Sequence, residues 1–165
     1  MKLSIEALTA CHEAGHALVA HLLGLTVHRA YVGPDPKMEI CENDAMGATA
    51  FVHDGDWRKL VAVAAAGWSA EEMMFPGSTL DRGHDEWLIT NLLQDEGFSK
   101  RQAQALIEHA SEAIPTLLEP HRRTIVVIAY FLLEGGQISG RDVASLAVDE
   151  SLPREYGSAS RCLDL

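Results

Sequence analysis

Two histidines four residues apart, His12 and His16, flank a glutamate, Glu13, in the run CHEAGH at 11–16. On a helix, positions i and i+4 lie on one face about a turn apart, so both imidazoles can aim at one point. Two neutral imidazoles are half of a tetrahedral Zn2+ shell. Glu13 is rotated from His12 by roughly 100°, too far round for an easy third ligand but within reach of a water held by the metal. Such a water, acidified by zinc and deprotonated by Glu13, is a nucleophile for an amide carbonyl. Gly15, three residues after His12, offers bare backbone near that face, where another element can pack close. The competing reading is three polar residues on an ordinary helix. The position of the motif inside an apolar-periodic helix favours the metal site.

A zinc site needs a third protein ligand. The extended HExxHxxGxxH form is absent, and His21 falls off the His12/His16 face. The third ligand must come from downstream: Glu71 or Glu72 in GWSAEEMMF, or His84, Asp85 or Glu86 in DRGHDEW.

The elements that must position these residues follow from pattern. Residues 4–23 read as one helix, with Ser4 as N-cap, apolar positions Leu8, Cys11, Leu18, Leu22 and Leu25 at helical spacing, and Gly24 as stop. TVHRAYVG (26–33) and MGATAFVH (46–53) read as strands separated by a loop over 34–44. A strong helix spans 54–75, ending before Pro76-Gly77. A loop over 76–83 and a helix over 84–95 follow. Ser99 caps a helical region running to about 134, which Pro115 and Pro120 should break or kink. A short helix follows Ser139-Gly140. The fold class expected is mainly α (α+β), a helical domain over 1–150 with a small sheet in the N-terminal half, and a tail over 151–165. Cys11, Trp57, Trp68 and Trp87 read as packing residues. His28, His53, His109 and His121 read as surface or loop histidines, and the stripe Leu106, Ile107, Ala110, Ile114, Leu117 as core or subunit contact.

Composition narrows the partners. The chain has 165 residues, 47% hydrophobic and 22% charged, enough for one domain with a real core. Its 24 Asp+Glu against 13 Lys+Arg give a net charge of −11, which argues against nucleic acid or an anionic membrane as the main partner. The longest apolar runs, at 60–68 and 124–133, are too short to span a bilayer. Three cysteines without a CxxC pair suggest a reducing compartment, so a cytoplasmic location is expected.

The ordered series HEAGHALVAHLLG (12–24), GAT (47–49), AAAGWSAEEMMFPG (64–77) and RGHDEWLITNLL (82–93) resembles the peptidase domain of the FtsH-like zinc metalloproteases. HRRTIVVIAYFLLEGGQISGRDVASLA (121–147) is similar to that family's C-terminal helices. The resemblance implies His12, His16 and Asp85 as zinc ligands, Glu13 as base, and Glu71 and Glu72 as the paired glutamates, able to accept a hydrogen bond from a ligand histidine. It implies that Gly47, Ala48 and Thr49 lie where an extended substrate is pinned to an edge strand, Gly47 letting the substrate backbone come close. Two positions depart from the pattern. Trp68 replaces an arginine, and His84 replaces the asparagine before the aspartate, which makes His84 a rival ligand.

The family's ATPase module and membrane helices are not represented: the sequence has no GxxxxGK[ST] loop. The expectation is an ATP-independent zinc endopeptidase acting on unfolded or flexible polypeptide, with a homo-oligomer and a separate ATPase partner left open. Two rivals stand beside it. One is a non-catalytic peptide-binding module that keeps the peptidase fold. The other is a regulator of an ATPase–protease assembly.

Overall fold

A computed structural model describes residues 4–33, 47–77 and 82–148. Met46, the expected loop at 34–44, residues 78–81 of the loop expected over 76–83, and the tail from 151 lie outside the described residues. The architecture is mainly helical with one small antiparallel sheet, as expected for α+β.

Helix α1 (Ile5–Leu22) begins where Ser4 accepts a hydrogen bond from the Ala7 amide, and it is buried along nearly its whole length. Strands β1 (Thr26–Val32) and β2 (Gly47–Val52) follow as an antiparallel pair, with a bulge between Val27 and Arg29. Helix α2 (Trp57–Met74) is capped by Asp56, and α3 (Gly83–Asp95) succeeds it. Helix α4 (Lys100–Leu118) opens on a reciprocal capping box between Ser99 and Gln102. A 3-10 turn at Glu119–His121 leads into α5 (Arg122–Gly135), which Gly136 ends at φ +72°.

Four expectations need correction. The sheet is not confined to the N-terminal half. Strand β3 (Gln137–Ser139) returns from the far end to pair with β1, giving the order β2-β1-β3, and α6 (Gly140–Val148) closes the domain. Pro115 does not break its helix. It lies in the last turn of α4, exposed, and the break comes at Pro120, in the 3-10 turn. His121 is buried rather than on the surface, and Trp87, expected to pack, is 61% exposed.

The core runs between the helices. Leu18 of α1, Leu93 of α3, Ile114 and Leu118 of α4, and Ile125, Ile128 and Leu132 of α5 are fully buried. Each stabilises the fold by about 1.5–3 kcal/mol relative to an exposed side chain. On α4 the buried stripe is Ala103, Ile107, Ala110, Ile114 and Leu118, with Leu106 and Leu117 at its margin. Helices α1 and α2 cross closely. A β-carbon on Gly15 would lie 2.4 Å from the Ala66 carbonyl oxygen and 2.7 Å from the Ala70 β-carbon. The glycine is therefore a requirement of helix–helix contact.

Candidate metal centre

The close crossing of α1 and α2 sets the site. His12 and His16 project from one face of α1 toward α2, their rings edge-on with centroids 4.5 Å apart. The space they occupy exists because position 67 of α2 has no side chain. A β-carbon on Gly67 would stand 2.5 Å from His12 Nε2 and 2.7 Å from His16 Cε1. The sequence reading missed this residue. Its signal was a glycine inside an otherwise strong helix, where it costs about 1 kcal/mol relative to alanine and so implies a close neighbour.

Each ring is held by its Nδ1. His12 Nδ1 stands 2.5 Å from Glu71 Oε1, a fully buried carboxylate on α2. His16 Nδ1 donates to the Val63 carbonyl oxygen at 2.6 Å. Val63 also escaped the sequence reading, since a main-chain acceptor leaves no trace in residue type. Both Nε2 atoms then face Asp85 at the start of α3. His12 Nε2 lies 2.8 Å and His16 Nε2 3.4 Å from Asp85 Oδ2.

This arrangement fits a metal. The Val63 carbonyl can only accept, so the proton of neutral His16 sits on Nδ1. The Glu71 carboxylate imposes the same tautomer on His12. Two bare imidazole nitrogens and a carboxylate oxygen therefore meet with no proton between them, unless an imidazole is protonated or a cation fills the gap. The ligand atoms of His12, His16 and Asp85 lie within 4.8 Å of one another, a group able to hold a metal ion. Ligands 2.0–2.1 Å from a tetrahedral zinc ion stand about 3.3 Å apart. The 3.4 Å separation matches that spacing, and the 2.8 Å one is a hydrogen-bond distance that must open by about half an ångström.

The electrostatics of these side chains reflect the same crowding. Burial alone would lower the His12 pKa, but hydrogen bonds to Asp85 and Glu71 outweigh it and raise it to about 10. Burial would raise Asp85, but the two histidines hold it well below the ordinary carboxylate range. Glu13 goes the other way. Burial raises its pKa, against the pull of His16, His12 and a hydrogen bond from Thr49.

The remaining candidates are not all brought together. His84 is exposed and stacks near Trp87, ring centroids 6.5 Å apart, and is not part of the cluster. Glu72, one residue round from Glu71, is exposed and accepts from the Gly77 amide at the end of α2. Consecutive helical residues diverge by roughly 100°, so only one of the pair can reach His12. Gly47 and Thr49 of β2 lie against Glu13: the Thr49 hydroxyl donates to Glu13 Oε2 at 2.8 Å. A β-carbon on Gly47 would meet the Tyr31 carbonyl oxygen at 2.8 Å and Thr9 Cγ2 at 2.9 Å, so the bare backbone there lets β2 pack against β1 and α1.

A cleft of about 400 Å3 opens beside the cluster. Glu13, His16, Asp85 and residues 47–49 border it, and Phe51, Leu60, Ile89 and Leu92 give it apolar walls. A larger hollow of about 830 Å3, bordered by Arg29, Phe131 and Asp142, includes none of the site residues, and the chemistry argues for the smaller one.

A mainly helical domain thus turns two imidazoles of α1 and one aspartate of α3 toward a common point beside an apolar cleft. The chain is 27% identical over 175 residues to the ATP-dependent zinc metalloprotease FtsH 2 of Sphaerobacter thermophilus. The match covers 83% of this chain and 26% of that protein, so the chain spans about a quarter of the length of the curated relative it matches. No protein-family model matches the chain. No helix among the described residues is long and apolar enough to cross a membrane.

Proposed function

We propose that this chain is a zinc metallo-endopeptidase of the FtsH-like type, hydrolysing peptide bonds in unfolded or flexible polypeptide. The observation that carries the proposal is the meeting of His12 Nε2, His16 Nε2 and Asp85 Oδ2 with both Nδ1 atoms already committed. The similarity to a zinc metalloprotease supports the same reading.

In this reading His12, His16 and Asp85 hold the ion. Zinc, when bound, supplies Lewis acidity, which makes water a nucleophile at neutral pH and polarises a carbonyl. Glu13, buried on the same helix and bordering the cleft, takes a proton from the attacking water and delivers it to the leaving amine. Glu71 fixes the His12 tautomer. Strand β2 is an outer strand of the sheet among the described residues and borders the cleft, so its main chain at 47–49 can pair with an extended substrate. These 165 residues contain no GxxxxGK[ST] loop, so any ATP-driven unfolding of substrate falls outside them.

The test is digestion of casein without ATP and with added zinc, wild type beside Glu13→Gln. Cleavage by wild type, lost in the variant at equal zinc content, supports the proposal. Equal cleavage by both, or no zinc bound by wild type, overturns it.

A further inference from the structure

Strand β2 meets the catalytic helix with two small features. Gly47 leaves room for the stem of Glu13: a β-carbon at 47 would lie 3.0 Å from Glu13 Cγ and 2.9 Å from Thr9 Cγ2. Thr49, two residues on and therefore on the same side of the strand, points a hydroxyl at Glu13. Thr49 Oγ1 stands 2.8 Å from Glu13 Oε2 and 3.2 Å from the Glu13 main-chain oxygen. Thr49 is itself anchored, paired with Ala30 in the centre of the sheet.

We propose that Thr49 is a positioning residue for Glu13: its hydroxyl holds Oε2 and leaves Oε1 as the oxygen that takes and returns the proton. The proposal rests on the peptidase reading for the meaning of that proton. A carboxylate on a flexible stem has two equivalent oxygens and several rotamers, and an unheld base spends time out of reach of its partner. One hydroxyl has one proton to give. While Glu13 is ionised, the charged oxygen is the stronger acceptor. Once Glu13 has taken the proton from water, the Thr49 hydroxyl can donate to the Glu13 carbonyl oxygen instead. The base can then pass its proton to the leaving amine with no rearrangement of the backbone. The Gly-x-Thr run at 47–49 thus reads as a cradle for the base, with the main-chain edge of the same strand left to the substrate.

The experiment compares wild type, Thr49→Val and Thr49→Ser on fluorescently labelled casein, with zinc content and melting temperature measured on each. The valine variant keeps shape and strand propensity and loses the donor. Its kcat is expected to fall about tenfold to a hundredfold, the worth of one hydrogen bond to a charged group, with KM and zinc content unchanged. Thr49→Ser, which keeps the hydroxyl, restores most of kcat. A valine variant within twofold of wild type in kcat overturns the inference. So does a loss of activity carried by KM and not rescued by serine. If Thr49→Val does not fold, Thr49→Ala is read in its place. If wild type cleaves nothing, the peptidase reading fails, and crystal structures decide the positioning role separately. Glu13 leaving its wild-type rotamer in Thr49→Val supports that role, and an unmoved Glu13 overturns it.

Discussion

Gly67 and His12 occupy each other's space: the atom that any other residue at 67 would add falls 2.5 Å from His12 Nε2. The two residues are 55 positions apart and on different helices, yet one fixes whether the other can present its nitrogen.

Gly67→Ala is therefore expected to damage the centre more than the fold. The methyl group must push the rings aside or spread α1 from α2, at a cost of about 1–3 kcal/mol. Chelator competition should show zinc affinity reduced by at least tenfold, and chemical denaturation should show a folded protein of lower stability. A variant that binds zinc like wild type would mean that the rings move freely.

Glu71→Gln keeps the size of the buried side chain and removes its charge. Loss of such an outer partner typically costs 10–100-fold in metal affinity. The same competition assay checks this, with Glu72→Gln as control. Glu72 accepts from the Gly77 amide and points away from the metal cluster, so its variant should bind zinc normally.

The metal-free protein should lose stability as the solution becomes alkaline. His12 has a raised pKa, so its contribution is complete below about 6.5 and is lost as pH rises through about 10. Asp85 has a depressed pKa, so its contribution is complete above the ordinary carboxylate range and is lost on strong acidification. Melting curves of chelator-treated protein between pH 6.5 and 10 should fall. Saturating zinc displaces the His12 proton, so the fall attributable to His12 should vanish. A flat profile without metal would refute the paired-charge description.

Cys11 should resist alkylation. Burial, with the Glu71 charge adding to it, raises its thiol from 9.0 to about 11, which lowers the thiolate fraction at pH 8 by about a hundredfold. Peptide mapping after iodoacetamide treatment should show Cys11 unmodified in folded protein and modified in urea.

How much of this was legible in the sequence depended on whether cause and effect lay on the same element. Ser4 and Ser99 announced two helices because a cap acts within its own first turn. The His12/His16 pair was legible because helical spacing alone puts both rings on one face. Strand β3 was not, since three residues between Gly136 and Gly140 carry no usable alternation and owe their conformation to β1. Pro115 misled because a proline near an exposed helix end removes little, whereas Pro120 sits where the chain already turns. Gly67 and Val63 were invisible because their meaning is a distance to another element. Trp87 read as packing by type, and only the three-dimensional arrangement leaves it at the surface beside the exposed Leu88.

Helix α3 has only Ile89 and Leu93 buried, a thin attachment for thirteen residues, and yet it supplies Asp85. An ion shared with His16 would join chain positions 69 apart and close that stretch into a ring, as a covalent cross-link does. Amide exchange in α3 would then report metal occupancy without any substrate. A protein stripped of its ion would open first at this helix, exposing its apolar cleft wall and becoming the kind of chain that proteases degrade.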